Sequence, residues 1–548
     1  MTPTGSRPGV DAEKGVDGRT APGPWCAVPV LATALCAPLG ALLGAVTAAD
    51  CRPIGAVGIV RHEIFEERDG RGLAWPYRLA NRLHSRTRED VIRRELLFAS
   101  GACPDAESIA QTERNLRGTG FLRDARVETV HAEGGGPAAM DVRVSTYDRW
   151  TTVPSLRLAQ IGNRRVWTVG IAERNLFGRG QQVEVQRRSD IDRDETLLSY
   201  RDPRLVGSRV QASVSFADRS DGRRGDVAFA RPFFSLDTRW SIGARVDAFD
   251  QLDPIYEDGE RVADLRHVGQ AMDLAAGRLV RRTLTGALRL HTAYRYRRDD
   301  VASERRRFGI AEAGLSFVEH RYVRLTHVNR FERAEDFNLG HQLSAAAGVS
   351  LPGLGGGKET VFFLSAAERK GLSFGRERFL IGEAGWAGRR RSGRWENAIA
   401  EASLGSAVRL TPRSLLLVHG RYRHGSNLDP EAQVTLGAQN GLRGYAVNQW
   451  AGTRSLLLAS EARLFVADDV GQLLSFALAA FAEAGYAWAP GSRVAFRDLR
   501  SDAGLGLMIG RNRLTSRPLR LDVAYAFNPP PGRSRWQVSM GVQVAFVE

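Results

Sequence analysis

The chain has 548 residues, 43% of them hydrophobic and 58 of them glycine, and its 77 basic and 62 acidic residues give a net charge of +15. This length allows several domains, although one large β-barrel can use most of it. A basic balance points to nucleic acid when the charges cluster, and here the arginines are scattered through alternating segments. The charge therefore fits solvated strand faces, loops and membrane-proximal surface, and no nucleic-acid partner is expected.

Residues 1–49 have the layout of a secretory signal peptide. The apolar stretch Trp25–Ala49 follows three basic residues and ends in small residues before Asp50, as cleavable signals do. Pro29 and Pro38 interrupt the stretch and argue against a permanent membrane helix. No later segment has the roughly 18 uninterrupted apolar residues that a spanning helix needs. We therefore expect an exported protein. If it spans a membrane, it should do so as β-strands.

Four cysteines are present, and Cys26 and Cys36 would leave with the signal peptide. Cys51 and Cys103 would remain in an oxidising compartment, where a disulfide between them is possible. Such a bridge would close about fifty residues and stabilise the N-terminal domain by roughly 4 kcal/mol in the chain-entropy model. The alternative is lipid attachment at Cys51, which Asp50 disfavours.

Residues 50–149 read as one small α+β domain. Ile54–Phe65 has the mixed pattern of a strand, and a charged, glycine-containing loop follows. Thr87 is a candidate cap for a first helix, and Asp105 is a candidate cap for a second. Two further strands, Ala125–His131 and Met140–Tyr147, end the domain. The predicted order is β-α-α-β-β.

Residues 150–548 alternate between apolar and polar side chains in segments separated by turns. The last segment is the clearest, because Trp536, Val538 and Met540 share one face and Gln537 and Ser539 the other. Segments of about ten residues with this alternation are typical of transmembrane β-barrels, and about 25 residues per strand and loop would give about sixteen strands. A soluble sandwich has the same period but turns its apolar face inward. Export and the aromatic residues near strand ends favour the membrane.

With these parts in place, the N-terminal domain resembles a POTRA domain, and the whole mature chain resembles the BamA/TamA superfamily of outer-membrane assembly and secretion proteins. The POTRA resemblance is carried by Glu113-Arg-Asn-Leu-Arg117, Gly120-Phe-Leu-Arg-Asp-Ala-Arg-Val127 and Asp141-Val-Arg-Val144. The barrel resemblance is carried by Glu173-Arg-Asn-Leu-Phe-Gly-Arg-Gly180, Tyr200-Arg-Asp-Pro203 with Ser220-Asp-Gly222, Gly441-Leu-Arg-Gly-Tyr445 and Phe481-Ala-Glu-Ala-Gly485. Leu442 and Glu483 depart from the family's usual Val and Asp. Phe546 resembles the C-terminal aromatic signal of barrels, although Val547-Glu548 follows it.

The resemblance places the Gly441–Tyr445 segment on an extracellular loop that folds back into the barrel. Gly441 and Gly444 permit a tight, irregular turn that carries Arg443 and Tyr445. The strand period independently sends Glu483, Asp522 and Arg520 into the lumen, and Glu461 as well. We expect Arg443 to anchor the loop there by pairing with these carboxylates, above all with Glu483. A diffuse electrostatic network without a single partner is the alternative.

The resemblance implies a non-enzymatic protein of the bacterial outer membrane, with its POTRA-like domain in the periplasm. Its partners would be unfolded outer-membrane or secreted proteins, the lipid bilayer and periplasmic chaperones or accessory subunits, without a cofactor or metal. A dedicated two-partner-type exporter is an alternative, although such proteins carry two POTRA domains and an N-terminal plug helix, and the sequence offers one POTRA and no plug. A barrel enzyme is a second alternative. His291, His320 and His341 are available to it, but no Gly-x-Ser-x-Gly elbow or metal-spaced cluster occurs. A passive porin would leave the POTRA-like domain unexplained.

Overall fold

A computed structural model describes residues 53–65, 74–131, 140–331, 334–375, 377–492, 494–511 and 518–542. The predicted signal peptide, Cys51 and Phe546 lie outside the described residues. The chain divides into two compact units, with a boundary between Thr151 and Thr152 and with Arg174–Gln181 assigned to the N-terminal unit.

The N-terminal unit has the order β-α-α-α-β-β. Strand β1 pairs in parallel with β3, and β2 pairs with β3 in antiparallel fashion, so the sheet order is β1-β3-β2. Apolar residues of the sheet and the helices, among them Val91, Leu116 and Val144, form its buried core. The elements are β1 (Ile54–His62), α1 (Ala74–Leu83), α2 (Glu89–Glu95), α3 (Ala106–Arg117), β2 (Leu122–His131) and β3 (Met140–Asp148).

Two of the three helices were predicted. Asp105 caps α3 as expected, because its Oδ1 accepts a hydrogen bond from Ser108 N at 2.7 Å. The cap predicted at Thr87 is wrong. Helix α2 has Arg88 at its N-cap without a side-chain cap, and Thr87 N instead donates to Asp148 Oδ2 at 2.8 Å. Helix α1 was missed, because the glycines and charges that precede it indicated a loop.

Cys103 is disulfide-bonded. The partner predicted from the sequence, Cys51, lies outside the described residues, so the identity of the bridge stays a prediction.

The second unit is a closed antiparallel β-barrel of twenty strands. The barrel is therefore confirmed, and the predicted count of about sixteen strands is wrong. Many connections contain only two residues, as between Glu257 and Glu260, so each strand uses less chain than expected. No helix among the described residues is long and apolar enough to cross a membrane.

The wall follows chain order from β4 to β27, apart from two short hairpins that lie outside it, β14–β15 and β21–β22. The first ten strands of the wall are β4 (Thr152–Ile161), β5 (Arg164–Leu176), β6 (Gln181–Ser189), β7 (Asp194–Asp202), β8 (Gln211–Arg219), β9 (Gly222–Arg231), β10 (Trp240–Glu257), β11 (Glu260–Arg282), β12 (Gly286–Val301) and β13 (Glu304–Glu319). The remaining ten are β16 (Gln342–Ser350), β17 (Val361–Ser373), β18 (Arg378–Arg391), β19 (Arg394–Thr411), β20 (Ser414–Ser426), β23 (Arg454–Val470), β24 (Leu474–Trp488), β25 (Arg500–Arg511), β26 (Leu519–Ala526) and β27 (Trp536–Val542).

The outer face of the barrel is apolar and exposed, and the inner face holds the buried polar groups. Leu505 is 68% exposed on β25, whereas Asp502 on the same strand is 1% exposed. The same contrast separates Leu458 from Glu461 on β23. A soluble sandwich would bury its apolar face, so this arrangement fits a barrel surrounded by lipid.

The two hairpins belong to long connections at opposite ends of the barrel. We call the end at which β4 begins the near end. Strand β13 runs toward it, so the connection 320–341, with β14 (Tyr322–Leu325) and β15 (Glu335–Asn338), leaves from the near end. Strand β20 runs away from it, so the connection 427–453, with β21 (Val434–Leu436) and β22 (Trp450–Gly452), leaves from the far end.

Leu505 tests whether this outer face lies in lipid. It stands near the middle of β25 and points outward, so Leu505→Arg should destabilise the folded barrel by about 2–4 kcal/mol in a bilayer. Equilibrium unfolding in guanidinium with lipid vesicles measures this change. Leu505→Ile is the control and should stay near wild type. Equal stability of the Arg and Ile variants would contradict a lipid-facing outer wall.

Candidate functional site: an arginine among luminal carboxylates

The far-end connection folds into a compact turn immediately before Arg443. Gly441 N and Leu442 N both donate to Gly437 O, at 3.1 and 3.0 Å. Asn440 Oδ1 accepts from Gly437 N at 2.8 Å and closes the same turn. The turn therefore satisfies its backbone polar groups by internal hydrogen bonds, and the next residue, Arg443, faces the wall.

The two glycines of the motif are needed for different reasons. Gly441 has φ +146°, and a Cβ built on it would lie 2.2 Å from Leu457 Cδ2. The expectation that Gly444 also needs an unusual backbone shape is wrong, since its φ is not positive. Gly444 is needed for space, because a Cβ there would lie 2.8 Å from Asp502 Cβ. That close approach lets Gly444 N donate to Asp502 Oδ2 at 2.9 Å.

Arg443 lies among three carboxylates of the barrel wall. Its backbone N donates to Glu483 Oε2 at 2.9 Å, and its Nε donates to Glu483 Oε1 at 2.8 Å. Its Nη1 donates to Glu461 Oε2 at 3.0 Å and lies farther, 3.5 Å, from Asp522 Oδ2. The guanidinium carbon also lies 3.5 Å from the centre of the Phe481 ring. Glu483 is thus the principal partner, and Glu461 is a closer second partner than Asp522.

The same carboxylates hold two further arginines of the wall. Arg520 donates to Glu461 Oε1 at 2.8 Å and to Asp522 Oδ1 at 2.6 Å. Arg463 donates to Glu461 Oε1 at 2.6 Å. Glu461 is completely buried. With Arg443 included, it accepts hydrogen bonds from three guanidinium groups. Arg443 thus has Glu483 as its principal partner and shares Glu461 with two other arginines.

Tyr445 fastens the loop to the strands that precede the last one. Its hydroxyl donates to Ser501 O at 2.8 Å and lies equally close to Asn528 Oδ1. Its ring packs edge-on against Trp450 at 4.7 Å between centroids. The tyrosine is 3% exposed, so it belongs to the packed interior of the barrel rather than to a surface hairpin.

The loop also contacts the first hairpin of the barrel. Val447 N donates to Asn163 Oδ1 at 3.3 Å in the turn between β4 and β5. A Cβ on Gly162 in that turn would lie 2.8 Å from Tyr445 O. The loop therefore contacts the β4–β5 turn on one side of the junction between the last and first strands, and β25 and the β26–β27 connection on the other.

We call that junction, between β27 and β4, the seam. Within the described residues, β27 and β4 share the single register pair Met540↔Gln160. Strands β26 and β27 are in continuous register from Leu519↔Val542 to Tyr525↔Trp536. Across the seam, Gln537 Nε2 donates to Gly162 O.

A second attachment of the same loop was missed by the sequence analysis. Asp429 accepts two hydrogen bonds from Arg389, at 2.9 and 2.6 Å, and lies 2.8 Å from Arg306 Nη1. The inward positions of Arg389 and Arg306 follow from strand alternation. Asp429 stands in the connection after β20, where no period applies, so its partners could not be assigned.

The other sequence motifs lie elsewhere. In Glu173–Gly180, Asn175 is buried within the N-terminal unit, accepts from Gly180 N at 2.7 Å and donates to Thr87 Oγ1 at 2.9 Å. Tyr200–Pro203 ends β7, and Ser220–Gly222 forms the turn from β8 to β9.

The histidines considered for an enzyme have separate neighbours. His291 contacts Ser316, His320 packs near Tyr322, and His341 contacts Glu368. Among the described residues no group of three His, Cys, Asp or Glu side chains could hold a metal ion. The contacts at the Arg443 cluster are ion pairs and hydrogen bonds that position the far-end loop.

Removal of the Arg443 side chain should destabilise the barrel. Arg443→Ala would leave Glu483 and Glu461 with fewer cationic partners. The free energy of unfolding should fall by up to roughly 3–5 kcal/mol, and by less where luminal water solvates the carboxylates. Arg443→Lys should recover only part of this, because an ammonium lacks the fork that meets two carboxylates. Equilibrium unfolding in guanidinium measures both variants.

The matched control is Arg297→Ala. Arg297 makes a two-bond pair with Asp273, at 2.8 Å to each oxygen, but that carboxylate keeps 29% of its side chain exposed. Its loss should cost about 1 kcal/mol or less. If Arg443→Ala were no more destabilising than Arg297→Ala, the anchoring role of Arg443 would be wrong.

No protein-family model and no curated protein matches the sequence. Among solved structures, the chain is similar to BamA from Haemophilus ducreyi lacking POTRA domains 1–3, at 13% identity and a TM-score of 0.38 over 89% of this chain and 84% of that one. It is similar to CdiB from Acinetobacter baumannii at 12% identity and a TM-score of 0.46 (90% and 74% covered), and to CdiB from Escherichia coli at 12% and 0.45 (89% and 76%). The chain thus resembles the BamA and CdiB barrels in fold, and these sequence identities and TM-scores do not imply a shared function.

Proposed function

We propose that this chain is an outer-membrane protein of the BamA/TamA type, which assists the insertion or translocation of other proteins at that membrane. The observation that carries the proposal is the seam. An anchored loop reaches from the turn between β4 and β5 on one side of the seam to β25 on the other side.

A seam that opens has a chemical use. When β4 and β27 separate, each presents a row of unpaired backbone N–H and C=O groups. Such groups are costly in hydrocarbon, and an incoming client strand satisfies them by adding to the edge. Recognition through the backbone tolerates many client sequences, which suits a general assembly factor.

In this proposal, contacts of the anchored loop stabilise the closed barrel. The loop contacts Asn163 beside the first strand and Ser501 near the last strands. Arg443 and Tyr445 fix it to the wall, so the loop helps to keep the barrel closed at rest. The Arg443 cluster then keeps the two edges near each other while a client strand enters.

The N-terminal unit offers a place for clients before they reach the barrel. In its sheet order β1-β3-β2, strands β1 and β2 are the two outer strands. Either can accept a client strand by addition to its edge. We place this unit in the periplasm and the far-end loop on the cell surface, as the signal-like leader and the POTRA resemblance imply.

Locking the seam should abolish the activity. Gln160 and Met540 are register partners, and directly opposed Cα atoms of antiparallel strands lie about 4.5–5.5 Å apart, within disulfide range. Gln160→Cys with Met540→Cys should therefore form a bridge that stops assembly of client proteins, and a reductant should restore assembly. Assembly is read from client accumulation in the outer membrane.

Val523→Cys with Val538→Cys is the matched control, because these register partners join β26 to β27 away from the seam. The control bridge should leave assembly intact. Full activity of the oxidised seam variant, with its bridge verified, would refute opening at the seam.

The alternative function is a dedicated exporter, and depletion of the protein separates the two. Comparison of the outer-membrane and secreted proteomes should show loss of many barrels for an assembly factor, and loss of one secreted protein for an exporter. No change in either proteome would contradict both functions.

A further inference from the structure

The near-end connection between β13 and β16 folds into the barrel. Its described residues from Tyr322 to Phe331 and from Ala334 to Asn338, which we call the luminal hairpin, hold the paired strands β14 and β15. The carboxylate of Glu335 accepts from Val328 N, Asn329 N and Arg330 N, at 2.9 to 3.2 Å. The hairpin thus fixes its own shape.

The hairpin packs on an apolar part of the inner wall. Its Leu325, Val328, Phe331 and Phe337 belong with Leu339 to one buried cluster. The wall residues of this cluster come from β18, β19, β20, β23, β24 and β25, and they are Phe379, Ile381, Ala407, Leu415, Leu417, Phe465, Ala477, Ala479 and Met508. A luminal wall open to water would be polar, so this wall is built to be covered.

Close approaches fix the position of the hairpin on that wall. A Cβ on Gly510 would lie 2.4 Å from Phe331 Cδ2, and a Cβ on Gly371 would lie 2.4 Å from Leu339 Cδ2. Arg409 Nη2 donates to Thr326 O at 2.6 Å. The glycines make room for apolar side chains of the near-end connection, and the arginine satisfies a hairpin carbonyl.

One arginine connects the hairpin to the Arg443 cluster. Arg463 is 2% exposed, donates through Nη1 to Val328 O and through Nε to Glu461 Oε1. Glu461 in turn accepts from Arg443 of the far-end loop. Two segments that enter from opposite ends are thus joined through one carboxylate and one guanidinium.

We propose that the luminal hairpin is a resident plug, and that Glu461 and Arg463 couple its seating to the far-end loop. The plug narrows the water-filled lumen of a twenty-stranded barrel and leaves the seam as the open route for client strands. Loss of Arg443 from Glu461 frees that carboxylate to reorient, which loosens Arg463 and the hairpin carbonyl it holds. The proposal rests on the barrel spanning a membrane and does not depend on the client.

Ion conductance of the full-length protein in planar lipid bilayers tests the plug. Replacement of residues 322–338 by a short Gly-Ser linker should raise the conductance several-fold, because ions then pass along the uncovered wall. Arg463→Met should raise the frequency of large-conductance openings, and the control Arg297→Met should resemble wild type. A folded deletion variant with wild-type conductance would overturn the plug.

Thiol labelling tests the coupling and serves also if the deletion variant does not fold. Val328 is 1% exposed, so Val328→Cys should react slowly with a membrane-impermeant maleimide in the otherwise unchanged protein. Adding Arg443→Ala should raise the labelling rate several-fold, and adding Arg297→Ala should not. Rapid labelling of Val328→Cys alone would refute a seated hairpin, and equal rates in the two double variants would refute the coupling. Neither result bears on client assembly, which the seam bridge tests separately.

Discussion

The interior of this barrel depends on the Glu461 carboxylate. It is completely buried and accepts from Arg443, Arg463 and Arg520. Three guanidinium groups this close repel one another strongly unless carboxylates lie between them, and the low dielectric of a filled lumen enlarges both the repulsion and the attraction. Glu483 and Asp522 lie beside the same arginines, so each of the three guanidinium groups contacts at least one carboxylate. The far-end loop can occupy the lumen because these carboxylates compensate the charge of Arg443.

A barrel of twenty strands has to solve a filling problem that a small barrel does not have. Eight strands enclose a space that side chains fill, and the enclosed space widens as strands are added. Here two connections fold inward and cover part of the wall, one mainly through ion pairs and one mainly through apolar packing. The wall differs accordingly. It carries carboxylates where Arg443 arrives, and phenylalanine and leucine where the hairpin lies.

The period of two along a strand predicted which side chains meet in the lumen, because alternate residues face opposite sides. Glu461, Glu483, Arg520 and Asp522 all lie inward, as expected from their apolar neighbours. The period does not reach into connections, so the Asp429 attachment and the luminal hairpin were missed. The strand count was wrong because about 25 residues were assumed for each strand and its loop, whereas several connections are two-residue turns such as Asp258-Gly259. Gly444 was assigned correctly to the motif but for the wrong reason, because a close approach depends on a distant residue, Asp502.

The anchored loop adds contacts that hold the barrel closed at positions away from the seam itself. The loop reaches Asn163 on one side and Ser501 on the other, and its own position is set by Arg443. A strand junction of continuous hydrogen bonds opens only when many bonds break together, whereas ion pairs and side-chain hydrogen bonds at a loop can yield one at a time. In the proposed function, closure by the loop lets the barrel stay shut at rest and admit a client strand without unfolding its wall.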